Sequence, residues 1–321
     1  MDSFIFAINA VLPIVITVGL GYILKKIRFM SADFAKQANK LCFRVFLPVM
    51  LFLNVYKIDN IGSIEPGYII YTVVAVLVLF IAAFPIVTLV TKKRECRGVL
   101  CQAAFRSNYA LIGIPLAESL FGEAGVAAAS VLSAVVIVMF NILAVICLSV
   151  YRKGKPSIKK ILLDILKNPL IISIALGIVV LLIRPYTDFR ISGITPIYKV
   201  LANISSLATP MALLVLGAQF EFSTIKALRR EIIWGIAMRC LMVPILGLGT
   251  AYLLFKGEFT GAEFAALTAV FTTPLAVSSV AMAQEMDGDV KLAGQLVIWT
   301  TLISALTTFV ASFLLKSAGV F

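Results

Sequence analysis

Two prolines in the middle of apolar segments carry the clearest chemical signal in this sequence. Pro115 follows Gly113 and Ile114, and Pro274 follows Thr273 in a second apolar segment. A proline inside a helix removes a backbone donor and clashes with the carbonyl four residues earlier. In lipid, the groups freed in this way need partners from protein or water. The two prolines therefore favour helices that are broken at mid-membrane and line a cavity; a simple kink in each helix is the alternative.

The positions of the expected breaks indicate what kind of ligand such a cavity would bind. We expect the first break over residues 112–115 and the second at Pro274, so that each second half-helix starts at the membrane centre. A helix N-terminus carries unpaired amides and a partial positive charge. Two such termini facing each other suit an anionic group such as a carboxylate. The sequence therefore predicts an anion-binding centre without enzyme machinery.

Polar side chains precede the first proline. Ser107 and Asn108 are neighbours there, and Arg106 lies roughly 12 Å into the membrane by helical rise. A buried arginine is by default a functional candidate; the alternatives are a side chain that reaches the cytoplasmic surface or one paired with a carboxylate. For Arg239, at comparable depth, we favour these same alternatives, since no break lies near it. Seven more polar residues either line a path or join neighbouring helices, and we favour the second for each: Gln102, Glu118, Asn141, Thr272, Thr273, Ser278 and Ser279.

Composition excludes most other classes of protein. Of 321 residues, 61% are hydrophobic and 14% charged, whereas soluble chains average roughly 45–50% and 25%. The chain has no histidine, which excludes histidine metal sites, Ser-His-Asp and Cys-His catalysis, and histidine proton relays. We interpret the five scattered cysteines as reduced apolar fillers. We therefore expect no catalytic residues, no metal site and no cofactor.

Apolar runs between charged residues and Gly/Pro interruptions predict ten membrane spans. Ten spans of about 22 residues leave no room for a separate soluble domain. The first span lacks a basic n-region, so we expect it to be a mature span and not a cleaved signal peptide. The predicted spans are 4–24, 35–56, 68–91, 99–120, 124–150, 168–184, 196–220, 231–255, 262–285 and 290–316.

The net charge of +12 indicates orientation and not a nucleic-acid partner. Counted in alternate loops, 18 Lys and Arg residues fall in one set, and six fall in the other set together with both termini. The positive-inside rule then places the first set in the cytoplasm and both termini outside the cell membrane. The most basic stretch, residues 151–167, lies at the midpoint of the chain and is expected to be a cytoplasmic connector, a topogenic loop, or both.

The two halves on either side of that connector resemble each other. Residues 47–53 match 209–215, and 113–117 match 272–276, at offsets of 162 and 159. Because five spans precede the connector, the copies would enter the membrane from opposite faces, as in many secondary transporters. We expect a first five-helix repeat at 1–150, the connector at 151–167, and a second, inverted repeat at 168–321.

The stretch 108–116 resembles the span-4 signature of the auxin efflux carrier family, which includes plant PIN-type auxin exporters and bacterial organic-anion permeases. The signature is an asparagine seven residues before the proline of a Gly-Ile-Pro-Leu turn, here Asn108 and Pro115. The resemblance covers essentially the whole chain. Other matching elements are Asn39 before Pro48, Asn168-Pro169, residues 211–217 and residues 283–285.

The resemblance implies a ten-helix, all-α membrane fold in which broken helices 4 and 9 cross at the substrate site. Spans 1, 2, 6 and 7 would form a scaffold, through which a homodimer forms, and spans 3–5 and 8–10 a moving transport domain. Asn108 would hold the substrate carboxylate between Pro115 and Pro274. With the residues argued above, the expected substrate site comprises Arg106, Asn108, Gly113, Ile114, Pro115, Thr273, Pro274 and Leu275.

The sequence departs from the plant carriers at two points. Leu275 stands where they have a glutamine, and the connector is far shorter than their long cytoplasmic loop. Both differences favour a bacterial-type carrier of small organic acids over an exporter specific for indole acetate.

The function we expect is secondary transport of small organic anions, auxin-like or dicarboxylate, by elevator-type alternating access. The closest alternative is a sodium-coupled organic-anion symporter of the bile-acid-carrier type, although no acidic sodium site is evident. A channel and a membrane-embedded enzyme or sensor are more distant alternatives. Substrate identity, direction of transport and coupling ion stay open.

Overall fold

The computed structural model describes residues 2–57, 66–152, 158–187 and 190–321. In these ranges the protein is helical and contains no strand beyond one isolated bridge, between Lys256 and Phe259. The helices in chain order are α1 Asp2–Lys26, α2 Ala32–Leu41, α3 Leu47–Tyr56, α4 Pro66–Val90, α5 Arg94–Phe105, α6 Ile114–Tyr151, α7 Ile158–Lys167, α8 Pro169–Ile183, α9 Thr195–Gln219, α10 Ser223–Ala227, α11 Arg229–Ala237, α12 Thr250–Phe255, α13 Gly261–Thr272, α14 Ser278–Glu285 and α15 Val290–Ser317.

An all-helical membrane protein is confirmed. Six helical segments of the described chain are long and apolar enough to cross a membrane, or seven if the bent pair α7–α8 is one span. Helix α4 shows why lipid must surround the fold, because Val74, Val78 and Ile81 are exposed in the middle of its apolar run. Helices α13 and α14 together occupy the predicted span 262–285, and each is too short to cross a membrane alone. The full set of ten spans and its inverted repeat stay predictions.

Three prolines inside membrane helices share one local solution. Each lies two residues after a five-residue π turn, in which backbone hydrogen bonds skip one extra residue. The wider turn makes room for the proline ring and for its missing donor, so the helix continues instead of breaking. The three pairs are Cys42–Phe46 with Pro48, Tyr109–Gly113 with Pro115, and Met238–Met242 with Pro244.

Glycines bring α1 and α9 into backbone contact. A Cβ on Gly21 would overlap the carbonyl oxygen of Leu214, and a Cβ on Gly217 would overlap that of Val18. Small residues at such positions are how membrane helices pack closely, since lipid gives them no hydrophobic reason to associate. Helix α9 also packs on α2 and α3, and α3 packs on α8. These helices fall in predicted spans 1, 2, 6 and 7.

The other half of the structure is organised around α6 and α13, which pack along each other. Helix α6 is interrupted at Phe121 and at Gly122, whose φ of +57° is a left-handed value that glycine adopts freely. This interruption lies in the predicted loop between spans 4 and 5. Helices α5, α11 and α14 pack against α15 on the same side of the molecule.

The connector at 151–167 is not entirely a loop. Residues 158–167 form α7, and residues 153–157 lie outside the described part of the chain. Asn168 then caps α8 by accepting a hydrogen bond from the amide of Leu170, at 2.9 Å, and Pro169 occupies the first turn, where its missing donor costs nothing. The axes of α7 and α8 meet at a bend of 60°.

Candidate substrate site

The first break lies at residues 106–108, and not at 112–115 as the sequence predicted. Helix α5 ends at Phe105, three non-helical residues follow, and the chain then enters the π turn that leads into α6. Pro115 lies in the first turn of α6 and is exposed. The prediction failed because the π turn absorbs the proline.

The second break lies where the sequence places it. Helix α13 ends at Thr272, residues 273–277 are not helical, and α14 begins at Ser278. Pro274 lies inside this segment and is buried.

The two breaks touch each other. The backbone amide of Asn108 donates a hydrogen bond to the carbonyl oxygen of Pro274, with an N–O distance of 2.8 Å. The contact satisfies a donor and an acceptor that the two breaks expose, which lipid would otherwise leave unpaired. The crossing of the two interrupted segments is therefore a main-chain contact.

Arg106 lies within the first break and is 2% exposed. Its Nη1 donates to Gln102 Oε1 at 2.9 Å and lies 2.6 Å from Met282 Sδ, while its Nη2 donates to Asn141 Oδ1 at 3.1 Å and to Ser278 Oγ at 2.8 Å. All four partners are neutral, and no carboxylate in the described ranges forms an ion pair with it. A positive charge is thus held in the interior with nothing to balance it, which is unfavourable in the absence of an anion.

A cavity of about 60 Å³ lies against this arginine. Its wall includes residues 106–111, from the first break and the π turn, and residues 276–278, from the end of the second break and the start of α14. Part of α6 and the facing surfaces of α3 and α9 complete the wall. Since a single water needs roughly 10–15 Å³ by such a measure, the space suits a few waters or a carboxylate-sized group.

Two polar atoms at this cavity have no hydrogen-bond partner. They are Ser107 Oγ and Asn108 Nδ2, in side chains whose residues are 4% and 6% exposed. Buried polar groups are nearly always paired, so both atoms are available to a group that enters the cavity. A carboxylate there would accept from both and would balance the guanidinium.

The predicted site residues fall into three groups. Arg106 and Asn108 line the cavity. Thr273, Pro274 and Leu275 are buried in the second break but do not line the cavity; the amide of Leu275 donates to Thr300 Oγ1 at 3.1 Å.

The third group consists of Gly113, Ile114 and Pro115, which lie along the helix beyond the cavity. Gly113 has a packing role, because a Cβ there would lie 2.8 Å from the ring of Tyr109.

Comparison with known proteins identifies the family of this chain. A sequence profile of the family described as membrane transport protein matches residues 6–312. The chain belongs to this family. The match confirms the resemblance to the auxin efflux carriers that the residues around Asn108 suggested.

Two archaeal relatives are similar over almost their whole length. An uncharacterized transporter of Methanocaldococcus jannaschii is 26% identical over 306 residues, which cover 93% of this chain and 95% of that protein. An uncharacterized transporter of Methanothermobacter thermautotrophicus is 24% identical over 305 residues, which cover 94% of this chain and 96% of that protein. The chain is a multi-pass membrane protein from a family of transporters.

The second buried arginine of this membrane transport protein has a different role. Arg239 is 0% exposed, and it donates from Nε to the carbonyl of Thr273 at 2.7 Å and from Nη2 to that of Val270 at 2.8 Å. These carbonyls belong to the last turn of α13 and the residue after it, where a helix leaves acceptors unpaired and favours a cation. The expectation that Arg239 reaches the surface or pairs with a carboxylate is wrong for the described part of the chain. The expected absence of a nearby break is wrong as well, since the residue bonds to carbonyls at the second break.

Sequence reasoning missed the two polar residues that α3 and α9 contribute to the cavity wall of this transport protein. Asn54 of α3 and Thr209 of α9 line it from the side opposite the breaks. Their signal in the sequence is a polar residue within an apolar run: Asn54 directly follows the matching segment 47–53, and Thr209 begins the segment 209–215. Asn141 and Ser278, which we expected to join helices, do so by holding Arg106, and both also line the cavity.

Proposed function

We propose that this protein is a secondary transporter of small organic anions, whose carboxylate binds in the cavity between the two breaks. The observation that carries the proposal is the guanidinium of Arg106, buried beside the cavity among neutral partners only. A cation or a neutral sugar would leave that charge unbalanced, whereas an anion balances it.

The remaining groups of the cavity favour the same substrate class. Ser107 Oγ and Asn108 Nδ2 are free to donate, and the N-terminal ends of the π turn and of α14 line the wall. Helix N-termini attract negative charge. The apolar cavity residues Leu47, Met50 and Phe140 suit the carbon skeleton of an organic acid better than an inorganic ion.

The position of the cavity suggests how access alternates. One wall comes from α3 and α9, which pack with α1, α2 and α8, and the other from the breaks, which belong to the part built around α6 and α13. Sliding of the second part along the first would carry the bound anion from one face of the membrane to the other. This is the elevator mechanism, with the scaffold in predicted spans 1, 2, 6 and 7.

The predicted topology belongs to the same proposal. Ten spans in two inverted five-helix repeats, at 1–150 and 168–321, would relate the two breaks by symmetry. The charge distribution favours a cytoplasmic connector at 151–167 and both termini outside the cell membrane. The family resemblance supports two protomers joined through the scaffold.

Flux measurements test the substrate class. The purified protein is first screened by thermal shift against mono- and dicarboxylates, and uptake of the best stabiliser into proteoliposomes is then measured. We expect Arg106→Gln to raise the apparent KM by about 30-fold or more, since removing one partner of a buried charge pair costs upwards of ~2 kcal/mol. Arg106→Lys, which keeps the charge but not the planar fork, should recover part of the affinity.

Stability measurements separate binding from folding. Arg106→Gln removes an unbalanced buried charge but also the hydrogen bonds to Gln102, Asn141 and Ser278. In the absence of substrate we therefore expect its free energy of unfolding to fall by no more than about 1–3 kcal/mol, while the thermal shift produced by substrate is lost. Wild-type carboxylate flux in Arg106→Gln, or selective uptake of cations, would overturn the proposal. Dependence of flux on a sodium gradient would assign the symporter alternative, and currents far above carrier turnover would indicate a channel.

A further inference from the structure

Helix α7 presents one face to the protein. Ile161, Asp164 and Ile165 are half-buried on this face, and Ile165 packs against the main hydrophobic core. Asp164 Oδ1 lies 3.5 Å from Nη1 of Arg152, at the end of α6. These contacts fix the rotation of α7 about its axis.

The opposite face of α7 is both apolar and basic. Leu162, Leu163 and Leu166 are exposed, Leu166 by 71%, and Lys159 and Lys167 are exposed on the same side. At 3.6 residues per turn the five side chains fall within an arc of about 140°. A leucine face of this kind is not stable in water unless something covers it.

The orientation of α7 indicates what covers it. Its ten residues make a rod of about 15 Å, too short to cross a bilayer. Only Asn168 separates it from α8, an apolar helix, and the two meet at 60°. If α8 runs along the membrane normal, α7 lies about 30° from the membrane plane. The leucines also continue the exposed apolar surface of α8 at Ile172 and Leu176.

We propose that α7 is an interfacial helix, with its three leucines at the boundary of the acyl chains and its lysines on the phosphates of anionic phospholipids. Amphipathic helices with flanking lysines bind such surfaces through buried apolar area and attraction to negative headgroups. A second copy of the same face is a poorer occupant, because it would bring Lys159 and Lys167 of two chains together. The inference concerns the membrane surface and does not depend on the transported substrate.

Spin labels on α7 test its depth in nanodiscs. Single cysteines at Leu162, Leu163 and Leu166 receive the label; the five native cysteines are buried, and the unmodified protein measures any background labelling. Val78, exposed in the middle of α4, provides the hydrocarbon reference, and Arg28, exposed in the turn after α1, the aqueous one. All five positions are exposed, so labelling should not impair folding.

The expected result is that the three leucine labels collide with oxygen more often than with a water-soluble nickel chelate, as the Val78 label does. Collision rates like those of Arg28 would overturn the interfacial placement. Dipolar broadening between labels on two chains, with low access to both reagents, would also overturn it in favour of a dimer contact.

The lysines are tested by changing the lipid. Replacing phosphatidylglycerol by phosphatidylcholine should make the Leu166 label measurably shallower, because the attraction to headgroups is lost. The double variant Lys159→Gln, Lys167→Gln should show in phosphatidylglycerol the depth that the parent shows in phosphatidylcholine. Equal depth in both lipids for the parent would overturn the assignment of the lysines to anionic headgroups.

Discussion

The backbone amide of Asn108 donates a hydrogen bond to the carbonyl oxygen of Pro274, so the main-chain group of Asn108, and not its side chain, joins the two breaks. This leaves the Asn108 side chain without a structural task. Its Nδ2 has no partner, and it lies on the cavity wall between Ser107 and the π turn. The residue thus joins the two breaks with its main-chain amide and leaves its side-chain amide unpaired at the cavity wall.

Replacing Asn108 should therefore separate binding from folding. Asn108→Ala keeps the bond to Pro274 and removes the free donor. A hydrogen bond to a charged group contributes about 1.5–3 kcal/mol, so we expect the apparent KM for the transported anion to rise about tenfold or more. The midpoint of thermal unfolding in detergent should stay unchanged. An unchanged KM would show that the side chain does not bind substrate.

Asn108→Asp is a sharper version of the same experiment. The substitution keeps the size of the side chain but places a carboxylate beside the cavity and near Arg106. We expect the new charge to compensate the arginine, which stabilises the empty protein and repels the substrate anion. A higher unfolding midpoint combined with loss of flux is the expected pair of results; loss of both would indicate a folding defect.

The two prolines should respond differently to replacement by alanine. Pro115 is exposed and follows a π turn, so Pro115→Ala should change the flux by less than about twofold. Pro274 lies in a non-helical segment that alanine would allow to become helical, and loss of its restriction of the backbone, worth ~1 kcal/mol, should lower the flux by about fivefold. Proteoliposome uptake at equal reconstitution compares the two. An equal loss of flux in both variants would instead support the break that the sequence predicted at 112–115.

The contrast between these prolines shows how far sequence reasoning reaches. A proline marks where a helix loses a donor, and this was enough to locate the break at Pro274. It does not reveal whether the preceding turn widens, which depends on tertiary packing such as the bond from Tyr109 Oη to the carbonyl of Ala129, at 3.0 Å. For that reason the sequence predicts Gly113, Ile114 and Pro115 in the site, whereas the cavity is lined by the residues before them.

The other residues of the cavity could not be predicted, because they lie far apart along the chain and meet only in the folded protein. The partners of Arg106 come from three segments, and Asn54 and Thr209 reach the cavity from two more. Each is an ordinary polar residue in an apolar run, and only the assembled fold shows which of them meet. The helical class and the polar residues next to the first break needed no such information, since they follow from composition and local spacing.

Arg239 should matter for stability and little for substrate binding. Arg239→Gln leaves the carbonyls of Val270 and Thr273 without their charged donor, which should lower the free energy of unfolding by about 3 kcal/mol. Because Arg239 does not line the cavity, the apparent KM of the folded fraction should change by less than about twofold. Denaturant unfolding in mixed micelles and transport kinetics together measure both effects. A large rise in KM without loss of stability would reverse the roles assigned to the two buried arginines.

The contact between α1 and α9 can be tested with two glycines on one helix. A Cβ on Gly21 would overlap the carbonyl oxygen of Leu214, while a Cβ on Gly19 meets nothing within 4 Å. Gly21→Ala should lower the free energy of unfolding by about 1–3 kcal/mol through overpacking. Gly19→Ala should be neutral or stabilise by up to ~1 kcal/mol, because alanine is the better helix former.

The double variant Gly21→Ala, Gly217→Ala extends this test across the interface. Gly217 of α9 approaches the carbonyl of Val18, which lies on α1 together with Gly21. A first alanine that pushes α1 and α9 apart therefore also opens space for the second. The combined loss of stability should therefore be smaller than the two single losses added, as expected for residues that share one contact. Unfolding in mixed micelles measures all four proteins. Strict additivity would mean that the two close approaches are independent, and a neutral Gly21→Ala would mean that the helices lie farther apart than the structure places them.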